Sequence, residues 1–115
     1  MEVFFKTKKL AKLFNSDREL RRAYGARNAD LIRECLDDLG AAQRLVDMRA
    51  LPQHKHRLHQ LTGNLKGTFS LDVEHPCRLL FLPDHDPVPR LADGGIDEAE
   101  VTAVEVQGIR DTHDK

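Results

Sequence analysis

The chain has no tryptophan, one tyrosine and only two cysteines in 115 residues. Two cysteines cannot build the disulfide framework of a small secreted domain, so we expect Cys35 and Cys77 to be reduced and buried. No apolar run approaches the length of about 18 residues that a membrane span requires. The opening segment MEVFFKTKKLAKLF also lacks the apolar stretch and cleavage site of a signal peptide. The expectation is a cytoplasmic protein that does not contact the membrane.

The composition fits one small domain that spans residues 1–115. Hydrophobic residues make up 40% and charged residues 32% of the chain, which is typical of a globular protein. The net charge of −1 argues against general affinity for nucleic acids, but the charge is unevenly distributed. Residues 1–66 carry 14 Lys and Arg against 8 Asp and Glu, whereas residues 67–115 carry 4 against 11. This asymmetry indicates either a face for an acidic or nucleic-acid partner or a chance arrangement of solvated charges.

The spacing of apolar residues changes from helical to alternating after Pro52. Before it, EVFF predicts a short strand, and Thr7 and Ser16 are placed to cap helices. Apolar positions then recur at helical spacing, and AAQRLVDMRAL predicts a last helical piece that Pro52 stops. After Pro52, four segments either alternate between apolar and polar residues or are apolar throughout. They predict a meander of strands: HRLHQL, GTFSLDV, CRLLFL and VTAVEVQGI. The expected fold is α+β, with a short N-terminal strand and helices packed on one face of a mainly antiparallel four- to five-stranded sheet.

Arg78 is a charged residue inside an apolar strand. If Cys77, Leu79 and Phe81 face the helices, alternation places Arg78 on the opposite face. A guanidinium is costly to bury without a partner. It can therefore form a cross-strand ion pair with Asp72, or it can hold an anion such as phosphate bidentately. Both interpretations stay open from the sequence.

Histidines and a lysine cluster around the preceding turn. Lys66 begins the next predicted strand, and taken alone it is an ordinary surface lysine. His54 and His56 would share one strand face, but no nearby cysteine or carboxylate completes a zinc set, so we expect no metal site. His113 and Asp111 lie in the tail, which can approach Lys66 if the last strand joins the sheet.

One imidazole, one or two cations and a carboxylate would suit RNA cleavage without a metal. The 2′-OH must lose a proton, the phosphorane charge needs cations, and the leaving 5′-oxygen needs a proton. The sequence has no phosphate-binding glycine loop, nucleophile elbow or Cys-x-x-Cys pair that would indicate other chemistry.

The segment RLHQLTGNLKGTFSLDVEHPCRLLF resembles the core motif of the RelE/HigB-like toxins of bacterial type II toxin–antitoxin systems. The closing EVQGIRDTHDK is similar to the last strand of that family, and DPVPRLADGGID resembles a loop of its plasmid-maintenance killer branch, within the RelE/ParE superfamily. The resemblance extends over most of the chain. The positions that fit the core motif are Arg57, Leu58, Leu61, Gly63, Gly67, Phe69, Ser70, Arg78 and Phe81.

This resemblance implies a ribosome-dependent mRNA endoribonuclease that a helix-turn-helix antitoxin neutralises. It implies no cofactor, and contact with operator DNA only through the antitoxin. The implied site has phosphate and transition-state cations, secondary RNA contacts, and acid–base groups in the tail. Lys66 and Arg78 would be the phosphate and transition-state cations. Arg57 and His59 would make the secondary RNA contacts, and Asp111 and His113 would be the acid–base groups.

Two other functions fit the same pattern. The first is that of the ParE branch, which inhibits DNA gyrase by binding and cleaves no RNA. The second is a regulatory or interaction domain without toxicity. Two positions depart from the nuclease pattern, because Thr112 replaces a common tyrosine and Cys77 replaces a common aromatic residue.

Overall fold

A computed structural model describes residues 1–111, and the predicted site residue His113 lies outside them. Both predicted helix caps are confirmed. The Thr7 hydroxyl accepts a hydrogen bond from the Leu10 amide at 3.0 Å, and the Ser16 hydroxyl accepts one from the Glu19 amide at 3.1 Å. Each cap satisfies an amide that the first helical turn leaves without a partner. The α-helices are α1 (Lys8–Phe14), α2 (Asp17–Tyr24) and α3 (Ala26–Ala41).

Five strands form one open mixed sheet in the order β1-β5-β4-β3-β2. The first strand pairs with the last in parallel, and the other neighbours are antiparallel. The α+β class and the mainly antiparallel sheet are thus as predicted. The strands are β1 (Glu2–Phe5), β2 (His59–Gln60), β3 (Phe69–Asp72), β4 (Cys77–Pro83) and β5 (Ala103–Asp111).

One face of the sheet packs against the helices to form the core. Alternate residues of β3, β4 and β5 point to this face, and the predicted core positions Leu79 and Phe81 are both fully buried. Cys35 is fully buried as expected, whereas Cys77 is only half-buried. The fully buried core side chains of the helices and strands include Phe14, Leu20, Ile32, Cys35, Leu39, Phe69, Leu71, Leu79, Phe81, Val104 and Val106.

Two predicted elements differ from the structure. The strand expected at HRLHQL is reduced to the two residues of β2, because His56 and Arg57 have positive φ angles of 66° and 50° that are incompatible with an extended strand. The helical piece before Pro52 is a 3-10 helix, Leu45–Ala50. Among residues 1–111, no helix combines the length and the apolar character needed to cross a membrane.

The long polar segment between β4 and β5 is partly anchored to the core. Arg90 and Ile96 form an isolated antiparallel bridge within it, and a short 3-10 helix follows at Glu98–Glu100. Ile96 and Val101 are buried in the core cluster. These two apolar side chains hold a segment that the sequence presents as a polar loop.

Candidate anion-binding site on the open face

The sheet face opposite the helices, called the open face here, carries a row of charges across three strands. Asp72 of β3 pairs directly with Arg78 of β4, which in turn pairs with Arg110 of β5. Residues directly opposite in antiparallel strands share a face. The Arg78 Nε lies 3.4 Å from the Asp72 Oδ1, so the cross-strand ion pair expected from the sequence is present. The row nevertheless has two guanidinium groups for one carboxylate.

Asp72 is shared with two further cationic or basic groups. The Arg57 Nε lies 3.6 Å from its Oδ2, and the His59 Nε2 lies 3.8 Å from its Oδ1. Arg57, His59, Asp72 and Arg78 are called the Asp72 cluster below. Even with a neutral imidazole the cluster has an excess of one positive charge, and the neighbouring Arg110 adds another. An excess of this kind favours binding of an anion.

The cluster is accessible, and its internal contacts are loose. The side chains of Arg78, Asp72 and His59 are 31%, 29% and 34% exposed, and Arg57 is 68% exposed. Distances of 3.4 to 3.8 Å are long for charge-assisted hydrogen bonds, which are typically about 2.7–2.9 Å. A ligand phosphate can therefore compete with Asp72 for the guanidinium groups.

Three buried polar atoms in this place have no hydrogen-bond partner within residues 1–111. They are the His59 Nε2, the Ser70 Oγ and the Asp72 Oδ1. Ser70 is fully buried and pairs directly with His59 across β2 and β3. The Asp72 Oδ1 still has ion-pair contacts with the Arg78 Nε and the His59 Nε2, so the cost of about 1–3 kcal/mol for a buried polar atom without any partner applies to the Ser70 Oγ.

Lys66 lies at the other end of the open face from Arg78. It is exposed and precedes Phe69, which pairs with Phe81, whereas Arg78 pairs with Asp72. The three residue steps from Phe69 to Asp72 span about 10 Å, and Lys66 lies three residues further back. The sheet register therefore does not bring Lys66 and Arg78 to one point.

A groove of about 320 Å³ lies at this second end of the open face. Leu65, Thr68, Leu80 and Gln107 line it, and Lys6 and Arg110 contribute positive charge. A register shift in the β4–β5 pair lies beside it, where Gly108 has a φ of 136° that strongly favours glycine. Arg110 contributes to both this groove and the charged row, so cations extend along the open face.

Of the two predicted tail residues, the structure describes only Asp111. It pairs with Cys77, so alternation along β5 places it on the face opposite Arg78. Sequence reasoning missed Arg110, which takes the place beside Arg78. Neighbouring residues of a strand point to opposite faces, so only one of Arg110 and Asp111 could lie on the same face as Arg78. This restriction could have been recognised from the sequence.

A buried histidine fixes the segment that leads into His59. The His56 Nε2 lies 2.7 Å from the Asp38 Oδ2, and its Nδ1 lies 3.4 Å from the Cys35 Sγ. The Lys55 Nζ also lies 3.1 Å from the same Asp38 oxygen. These contacts join residues 55 and 56 to helix α3. From the sequence, His56 is a candidate only for metal binding.

The Cys35–His56–Asp38 arrangement is structural rather than nucleophilic. Burial, with a smaller contribution from the charge of Asp38, raises the pKa of the Cys35 thiol to about 12. The thiol therefore stays protonated near neutral pH, and it is fully buried from any substrate. Within the described residues 1–111, no group of three or more His, Cys, Asp or Glu side chains is arranged to hold a metal ion.

The Asp38 contacts predict a loss of stability in acid. Burial raises the pKa of Asp38, but the hydrogen bonds from His56 and Lys55 outweigh burial and hold the pKa below its usual value of 3.8. A carboxyl whose pKa is lower in the folded state stabilises the fold above the unfolded-state pKa, and this contribution is lost as the pH falls through the folded-state pKa. Asp38→Asn should cost about 1.5–3 kcal/mol at pH 6.5 and less at pH 3.

Urea unfolding followed by circular dichroism at the two pH values measures this difference. Asp37→Asn is the matched control, because Asp37 is the exposed neighbour on the same helix. A gap between the Asp38 variant and the original protein that stays constant from pH 6.5 to pH 3 would contradict the interpretation.

No protein-family model matches this sequence, and no curated protein matches it at a significant level.

Proposed function

We propose that this chain is the toxin of a type II toxin–antitoxin system, with a RelE/ParE-like fold, and that it cleaves mRNA on the ribosome until a helix-turn-helix antitoxin neutralises it. The observation that carries the proposal is the Asp72 cluster, with its excess of positive charge and its long, partly exposed ion pairs. Three positions of the toxin motif, Arg57, Ser70 and Arg78, lie in or beside this cluster. The motif and the geometry of the site thus support the same function.

The cations of the cluster suit an RNA phosphate. Arg78 is partly exposed and has a planar guanidinium that can donate two parallel hydrogen bonds to phosphate oxygens. Arg57 is more exposed and can approach the same phosphate from the residues that precede β2. In the transition state the phosphorus carries additional negative charge, which these groups stabilise more strongly than the ground state. Lys66 then contacts a phosphate further along the RNA strand.

His59 is suited to one of the two proton transfers. In the proposed step the 2′-oxygen bonds to phosphorus as its proton passes to a base, and the bond from phosphorus to the 5′-oxygen breaks as that oxygen receives a proton from an acid. Asp72 faces the Nε2 of His59, which leaves Nδ1 for the proton transfer. His113, outside the described residues, is the candidate for the second transfer. Asp111, on the other face of the sheet, takes no part in this step.

Induced expression in a bacterial host tests the proposal. We expect growth arrest, relief by the co-expressed antitoxin, and new mRNA 5′ ends within translated regions. Arrest with intact mRNA and inhibited gyrase supercoiling would favour the ParE-like alternative and overturn the nuclease. Normal growth with well-folded protein would favour the regulatory alternative and overturn the toxin assignment.

A further inference from the structure

A second basic pocket adjoins the Asp72 cluster. It has a volume of about 520 Å³ and lies between the 3-10 helix Leu45–Ala50 and residues 53–59. Three cations and two imidazoles line it, and among the described residues no carboxylate does so. These five side chains are Arg49, His54, Lys55, Arg57 and His59.

The free positive charge of this pocket is concentrated at the end nearest Asp72. Arg49 is neutralised by Glu98, whose carboxylate oxygens lie 2.7 and 2.8 Å from its Nε and Nη2. Lys55 is paired with Asp38. Arg57, in contrast, shares Asp72 with Arg78, so one of these two guanidinium groups is left without a full counter-charge. An anion in the pocket would supply that charge.

The backbone that forms this pocket is held in an unusual conformation. Gln53, His54, His56 and Arg57 all have φ angles between 50° and 66°, a region that side chains other than glycine rarely adopt. Such strain persists only where the surroundings enforce it, and it is concentrated at functional sites. Here buried His56 anchors the segment to α3, while His54 and Arg57 on either side of it line the pocket.

We propose that this pocket is a phosphate subsite that binds the phosphodiester adjacent to the cleaved one on the same RNA strand. The inference rests on the proposed function, because Arg57 and His59 belong to both the pocket and the Asp72 cluster. A ligand that occupies both the pocket and the Asp72 cluster must carry at least two linked phosphates. This requirement favours a polynucleotide over a free anion.

Binding of non-cleavable thymidine dinucleotides to the full chain tests the subsite. One ligand has only the internal phosphate, and two others carry an additional 5′- or 3′-terminal phosphate. We expect the additional phosphate at one end to tighten binding about tenfold, as measured by NMR titration of the histidine ring protons. His54→Asn should remove this gain without changing affinity for the ligand with one phosphate, since asparagine tolerates a positive φ.

A charge change provides a second variant and a matched control. Gln53→Glu places a negative charge at the pocket and should also remove the gain, whereas Gln43→Glu makes the same change at an exposed position outside the lining and should retain it. A terminal phosphate that adds nothing, or a gain that survives both pocket variants, would overturn the inference. Equal affinity of the pocket for inorganic phosphate and for the terminal phosphate would also overturn it.

The result for the subsite is separable from the result for the nuclease, because the dinucleotides lack the 2′-OH and are not cleaved. A gain that depends on His54 in a protein that never cuts RNA supports the subsite and contradicts the nuclease. Ribosome-dependent cleavage without any gain supports the nuclease and contradicts the subsite.

Discussion

Replacing Arg78 with alanine is expected to lower mRNA cleavage on programmed ribosomes about 100- to 1,000-fold while the protein stays folded. Arg78 lies between Asp72 and Arg110 on the open face and is the cation best placed to hold the phosphate bidentately. Asp72 keeps Arg57 and His59 as neighbours, so the substitution leaves no isolated buried charge. Single-turnover cleavage of a defined mRNA measures the effect, with the circular dichroism spectrum as the test of folding.

Two further variants refine this prediction. Arg78→Lys keeps the charge but loses the planar pair of donors, so its rate should lie between those of the original protein and Arg78→Ala. Arg18→Ala removes the same side chain from an exposed position on α2 and should cleave normally. If folded Arg78→Ala cleaves at the original rate, the open-face row is not the phosphate site.

Replacing His59 with glutamine is expected to lower cleavage about 100- to 10,000-fold, because glutamine can hydrogen-bond but cannot transfer a proton near neutral pH. Affinity for a 2′-deoxy RNA analogue should fall far less than the cleavage rate, since the arginines remain. The single-turnover rate measured from pH 5 to pH 9 should lose one limb of its pH dependence in the variant. This readout separates proton transfer from a merely structural contribution.

His85→Gln is the matched control for this variant. The His85 Nε2 accepts a hydrogen bond from the Thr102 amide at the far end of the long segment, so this change should leave both the rate and its pH dependence intact. Parallel losses of rate and binding in His59→Gln, with an unchanged pH profile, would assign His59 a structural role instead.

Local patterns accounted for the parts of the site that depend on alternation within a strand. The two-residue period of β4 places Leu79 and Phe81 in the core and Arg78 on the open face. The same period allowed Asp72 to be recognised as a cross-strand partner for Arg78. Hydrogen bonds of the caps Thr7 and Ser16 span only three residues, and they too followed from the sequence.

Features that depend on the pairing register of strands far apart in the sequence could not be predicted from local patterns. The resemblance implied that Lys66 and Arg78 act together as phosphate and transition-state cations, but the pairing of β3 with β4 separates them along the sheet. A shift of one residue decides whether Arg110 or Asp111 faces Arg78. His59 was expected to make a secondary contact, whereas the structure places it at the Asp72 cluster.

Local sequence patterns also could not predict the backbone conformation of the residues that precede β2. HRLHQL alternates as a strand does, but positive φ angles at His56 and Arg57 bend the chain. The hydrogen bond that anchors this bend joins His56 to Asp38, which lies 18 residues earlier on another element. A tertiary contact of this kind overrides the local preference and creates both the short β2 and the basic pocket.

The proposed chemistry requires the 2′-OH of the nucleotide that precedes the cleaved phosphate. The most direct test is an mRNA with a single 2′-deoxy nucleotide at that position, bound to the ribosome and exposed to the purified protein. We expect the unmodified mRNA to be cut into fragments with 5′-hydroxyl and 2′,3′-cyclic phosphate or 3′-phosphate ends, and the deoxy mRNA to remain intact at that position. Equal cleavage of the two mRNAs would contradict the mechanism.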